Sequence, residues 1–376
     1  MPSSAPEPTA APPWRTNLLL FLGTVVSVFV TAASGDREPM FSRTALLHGG
    51  QFTAALLAIL VAHELGHFVA AKIHKVDASL PYFIPLPFLS PFGTMGAVIR
   101  MRGTITTRRA LLDIGASGPL AGLAVAVPMY LWGAAHSQVV VANQEGAASL
   151  GESIALRLLD RLAAPPVPAG MDLELSPVAF AAWAGMFVTM INLLPVGQLD
   201  GGHVAYSLLG LRQDTIARNV HRATLAFFFV NLVGFVARDL HAGLRFEHLG
   251  RHVGNSLFWI VWFEMLAILG SLSRKDRDEE PDEESLSPRA RALATLALVV
   301  LAGIGQKQSS PTYWVAWLIG LGALLWVERR RGALADHDTF DHPPTGSEKI
   351  DPIRAGVAIL TLVIFALLFM PTPIAM

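Results

Sequence analysis

Polar and apolar positions alternate along the chain on the scale of whole membrane spans rather than of single helix faces. By the rule of about 20 apolar residues per crossing, about nine stretches qualify. They are residues 17–33, 51–73, 114–135, 177–196, 223–236, 257–272, 290–304, 313–327 and 353–370. The fifth and seventh are short enough to read as re-entrant or strongly buried segments. One segment breaks the helical pattern: over 78–101, Pro81, Pro85, Pro87 and Pro91 exclude a regular helix, and β-branched and aromatic residues are mixed among them. We expect an extended, partly membrane-dipping segment there, with a strand over 97–101. Such backbone must be shielded by protein or line a wet cavity. The fold class is therefore an all-α polytopic membrane protein of about nine transmembrane helices with a short β or extended segment.

Composition agrees with that class. Of 376 residues, 52% are hydrophobic and only 15% charged, well below the charge of soluble domains. A net charge of −1 gives no electrostatic basis for a nucleic-acid partner. There is no cysteine, so disulfides and thiolate metal sites are excluded and any metal must sit on His, Asp or Glu.

Loop charge sets an orientation. Lys72, Lys75, Arg100, Arg102, Arg108 and Arg109 separate the second and third stretches, while Glu145, Glu152, Asp160, Asp172 and Glu174 dominate the next loop. Basic residues return at Arg212, Arg218 and Arg222, and again at Arg329, Arg330 and Arg331. Alternating spans from a cytoplasmic N-terminus puts all three basic loops on the cytoplasmic side. Arg238, Arg245 and Arg251 fit this scheme less well. The expected compartment is a prokaryotic-type cell membrane.

Chemistry enters at the second stretch, which contains His63-Glu64-Leu65-Gly66-His67. On a helix His63 and His67 lie one turn apart on one face and can share a Zn²⁺, with Glu64 in reach of a water on it. Ionisable groups at membrane depth are costly and rarely incidental. A catalytic zinc takes three protein ligands, so a third must come from elsewhere. The run Asn192-Leu193-Leu194-Pro195-Val196-Gly197-Gln198-Leu199-Asp200-Gly201-Gly202-His203 offers Asp200 inside a break at the end of the fourth stretch, with His203 as a rival ligand. The flanking glycines, which let backbone approach a site closely, favour Asp200.

The two motifs together resemble the site-2 protease family of intramembrane zinc metalloproteases, over residues 51–206. Pro81-Tyr82-Phe83-Ile84-Pro85, Gly115-Ala116-Ser117-Gly118-Pro119-Leu120-Ala121-Gly122 and Pro177-Val178-Ala179-Phe180 further resemble the branch without a PDZ domain. The resemblance implies His63, His67 and Asp200 as ligands of one Zn²⁺ per chain and Glu64 as catalytic base. It implies Asn192 as a catalytic position that binds substrate backbone or the oxyanion. Gly93 and Gly96 read either as a simple turn or as a substrate-site loop, and with Val98 they are the candidate substrate-binding residues, since an open strand can pair with an extended peptide.

The expected organisation is a disordered tail (1–14), a metalloprotease core (15–273), an acidic linker (274–289), a C-terminal pair of spans (290–327), a second linker (328–352) and a last helix (353–376). The expected function is hydrolysis of peptide bonds within or near transmembrane segments of membrane proteins, by zinc-activated water with Glu64 as base. The partners are a transmembrane substrate and the lipid bilayer, with oligomeric state open. A zinc transporter or channel and an inactive membrane-protein-binding homologue are the alternatives. An intact Glu64 beside a three-ligand set counts against both. Gly118 to Gly122 reads as close helix packing, Glu264 as a buried hydrogen-bonding or access-path group, and His337 and His342 as members of a solvated linker. His136, His221, His241, His248 and His252 read as interfacial.

Overall fold

A computed structural model describes residues 14–35, 38–88, 90–142, 149–244, 248–275, 287–305, 310–334 and 340–375. The N-terminal tail, most of the acidic linker and His337 lie outside the described residues. The order of elements is α1 (Trp14–Ser34), α2 (Arg43–Ile73), β1 (Tyr82–Pro85), β2 (Thr94–Val98), α3 (Arg108–Ala135), β3 (Gln138–Val141), β4 (Ser149–Leu150), α4 (Ile154–Ala163), β5 (Met171–Glu174), α5 (Pro177–Asn192), α6 (Asp200–Leu209), α7 (Arg212–His241), α8 (Leu249–Lys275), α9 (Pro288–Gly305), α10 (Pro311–Arg331), α11 (Pro352–Leu368) and β6 (Ile374–Ala375).

Each apolar stretch coincides with a helix, but the count of nine spans is not reached. Among the described residues six helices are long and apolar enough to cross a membrane: α1, α2, α3, α7, α8 and α9. Helices α5 and α11 are apolar but shorter, and α10 closes on the charged run Glu328-Arg329-Arg330-Arg331. The stretch read as short over 223–236 is the middle of a 30-residue helix; Arg218 and Arg222 had masked its start. Two short helices were not expected, α4 in the acidic loop and α6 directly after the break.

Local chemistry explains the boundaries that matter. Ser42 caps α2 by accepting from the Ala45 N–H, and Lys75, at φ 58°, turns the chain away two residues past its end. Helix α5 opens on the Ser176 cap with Pro177 in its first turn and runs only 16 residues. That is about 24 Å, short of the bilayer's hydrocarbon core. Its C-terminus, Asn192, and the connection to α6 therefore stay at depth. The connection meets its own polar needs: the Val196 N–H donates to the Leu194 carbonyl, Leu199 to Val196, and Gln213 Nε2 to Pro195.

The extended segment forms an antiparallel hairpin of β1 and β2, pairing Tyr82 with Val98 and Phe83 with Ala97. The strand begins at Thr94 rather than at 97, and Met101 makes only an isolated bridge to Ala78. The hairpin runs along α1. Asn17 donates to the Leu80 and Pro81 carbonyls, Phe21 packs edge-on against Phe83 at 5.0 Å, and Ser27 Oγ donates to the Gly93 carbonyl at 2.5 Å. Asn17 and Ser27 are ten residues apart on α1, so the hairpin dips by about 15 Å. Its tip carries Phe92 into α5, against Phe180, Trp183 and Phe187 at 6.0–6.3 Å.

One hydrophobic core joins α2, α3 and α5 through Phe52, Leu56, Ile59, Leu123, Tyr130 and Trp183. A second, richer in large aromatics, joins α7 to α10 through Phe228, Trp259, Trp314 and Trp317.

Candidate metal centre

Helices α2 and α6 meet at the three predicted ligands. The Nε2 atoms of His63 and His67 lie 3.1 Å apart, and each is 3.3 Å from Asp200 Oδ2. The three donor atoms thus form a nearly equilateral triangle. A tetrahedral zinc with bonds of about 2.0–2.1 Å has ligand–ligand edges of about 3.4 Å, so the donor set fits that ion. Among the described residues it is the one group of three or more His, Asp or Glu side chains placed to hold a metal.

Several contacts hold this triangle. His67 Nδ1 lies 2.7 Å from the Ile114 carbonyl of α3. A carbonyl only accepts, so the ring proton resides on Nδ1 and the Nε2 lone pair faces the triangle. Helix α3 lies against the His67 ring at Gly118, where any Cβ would overlap the imidazole. The small-residue run read as helix packing therefore also makes room for the ligand. Asp200 begins α6, and α6 can fold back on the preceding connection because a Cβ at Gly201 would overlap the Leu193 carbonyl.

Glu64 is buried on α2 between the two histidines. Asn192, at the end of α5, brings Nδ2 to 3.4 Å from His63 Nε2. His63 lies ten residues before the end of α2, about 15 Å by helical rise. The group is thus at depth within a span.

The other predicted residues fall outside the triangle. His203, the rival ligand, lies one turn along α6 and pairs instead with His342, Nδ1 to Nε2 at 2.8 Å. Gly93 (φ 72°) is pressed onto α1, where a Cβ would come within 2.7 Å of the Ser27 carbonyl oxygen and the Val28 Cα. Gly96 (φ 95°) faces open space, and Val98 is exposed at the end of β2.

His342 is buried rather than solvated, a correction to the linker reading. His221, read as interfacial, is also buried, 3.0 Å from the Phe263 carbonyl, and His252 is buried beside Asp239. Sequence reasoning missed the Ile114 carbonyl, which is backbone and leaves no signature. It also missed the His203–His342 pair, whose members are 139 residues apart.

Among apolar helices long enough to cross a membrane, two imidazoles and a carboxylate gather where they could hold a metal ion. Residues 51–235, just under half of the chain, match the model of peptidase family M50, the site-2 protease family. Among curated relatives, "Probable zinc metalloprotease EGY2, chloroplastic" of Arabidopsis thaliana is 30% identical over 264 residues, covering 65% of this chain and 46% of that protein. The EGY1 counterpart of Oryza sativa subsp. japonica is 36% identical over 165 residues, 41% of this chain and 27% of its own length. The chain spans less than half the length of these relatives. No solved structure matches it.

Proposed function

We propose that this chain is a membrane-embedded zinc endopeptidase that hydrolyses peptide bonds within or beside transmembrane segments of membrane proteins. The observation that carries this reading is the donor triangle of His63, His67 and Asp200, at depth and with a buried carboxylate on the same helix turn. Those three side chains would hold the zinc. When bound, zinc supplies a Lewis acid that acidifies water and draws charge from a carbonyl oxygen.

Glu64 takes the proton from the water that attacks the scissile carbonyl carbon, and later delivers it to the leaving amine. Asn192 Nδ2–H donates to the carbonyl oxygen as negative charge gathers there. The unwound substrate pairs along β2, where Val98 and Met95 are exposed, with Gly96 leaving space for a neighbouring strand. Gly93 serves this role by seating the hairpin on α1. A transmembrane helix hides its carbonyls in hydrogen bonds, so an edge that captures extended backbone answers a need of the reaction. A carrier needs no base beside its ligands, which disfavours a zinc transporter.

The basic loops support a common end of the molecule for the site's nearer surface. Arg218 of α7 pairs with Asp341, and the Arg108 N–H of α3 donates to Glu348. That end is the cytoplasmic one by loop charge. The relatives are named as chloroplastic and lend no support to a prokaryotic cell membrane in particular. In proteoliposomes carrying a helical membrane substrate, wild type should cleave and Glu64→Gln should not while retaining zinc. Unchanged cleavage by Glu64→Gln would end this reading.

A further inference from the structure

The segment that follows α10 lies outside the family-matched core, yet it returns to the metal centre. His342 Nδ1 is 2.8 Å from the Pro343 carbonyl, so that nitrogen carries the proton and Nε2 offers a lone pair. His203 Nδ1–H therefore donates to His342 Nε2. The His342 ring also stacks on Tyr206 at 4.1 Å and 20°. The His342 backbone N–H donates to Asp214 Oδ1, and the Thr345 backbone N–H donates to the Tyr206 hydroxyl.

His203 and Tyr206 stand three and six residues after Asp200 on the ten-residue helix α6. Leu199, the cap residue of that helix, makes no side-chain capping bond. Its start is held by packing of Gly201 and Gly202 on the preceding connection and of Gly115 against Asp200 and His203, and by contacts further along α6. Further along, Arg354 forms a two-point pair with Asp113 of α3, and α11 packs Ala358 against Leu112, Ala116 and Val204. The strap is thereby tied to both helices that flank the ligands.

We propose that His342 is a positioning residue for the metal centre: by accepting from His203 and covering Tyr206 it holds α6, and through α6 it aims Asp200 at the two histidines. This rests on the metal-site reading above. It assigns to a segment outside the matched core a part in building the site within it.

The test measures zinc affinity of the full chain in nanodiscs by chelator competition, beside thermal unfolding of the zinc-free protein. His342→Phe keeps a ring against Tyr206 but offers no acceptor. It should weaken zinc binding about ten-fold, with the zinc-free unfolding midpoint unchanged. His342→Gln, whose Oε1 can accept from His203, should bind zinc within about two-fold of wild type by the same reasoning. His342→Phe binding zinc as wild type does would overturn the proposal. So would a loss seen only as lower stability of the zinc-free protein. Failure of the underlying reading looks different: wild type would take up no zinc, or Asp200→Ala would bind it as tightly as wild type.

Discussion

Two polar clusters are buried among apolar helices in this protein, and they solve the problem of charge at depth in opposite ways. At the metal centre, His63, His67 and Asp200 point three acceptor atoms at one another across 3.1–3.3 Å. In the C-terminal bundle, Arg291 of α9 reaches Glu328 of α10 through two nitrogens at 2.8 and 3.1 Å and Glu264 of α8 at 3.5 Å. All three are at most 2% exposed. That second cluster brings its own cation, which hydrogen-bonds Glu328 and lies beside Glu264, bracing three helices. The first has no Lys or Arg among its members, and its three convergent atoms are placed where they could hold a metal ion. Burial of ionisable groups alone does not mark a site; convergent acceptors without a cation do.

The largest expected effect breaks the comparison at the centre. Glu64→Gln should lower cleavage by about 10³-fold with zinc content unchanged, read by substrate hydrolysis and metal analysis on the same sample. Asn192→Ala should cost about 10²-fold in kcat, again with zinc retained. Gly118→Ala places a methyl group in the space of the His67 ring and should weaken zinc binding by at least about ten-fold. Gly122→Ala, whose Cβ would meet His63 at 3.3–3.4 Å, should change affinity much less. In the other cluster, Arg291→Met leaves two buried carboxylates uncompensated. It should reduce stability to denaturant by about 3–5 kcal/mol while zinc stoichiometry stays at wild-type level.

Both halves of the metal centre were legible in the sequence because their spacing is local: one helix turn separates His63 from His67, and Asp200 sits in a Pro- and Gly-marked break. The extended segment was legible from four prolines that forbid a helix, although its strand starts three residues earlier than expected and its pairing with Tyr82–Pro85 as a hairpin was not foreseen. Tertiary partners left no such trace. Nothing near Glu264 announces Arg291 or Glu328, and His342 looks like linker because its neighbours are Pro343, Pro344 and Asp341. The count of nine spans goes unconfirmed among the described residues for a related reason. A 16-residue apolar helix such as α5 reads as a crossing by composition, and its length becomes informative only once its cap and its proline stop are placed.

The central claim is that His63, His67 and Asp200 are the complete protein ligand set of one zinc ion. Zinc K-edge absorption on the purified full-length protein, with metal quantified per chain, tests it most directly. The account predicts one zinc per chain bound by two imidazoles and a carboxylate oxygen, kept in His203→Ala and lost in Asp200→Ala. Full occupancy in Asp200→Ala, or a third imidazole that disappears in His203→Ala, would contradict it.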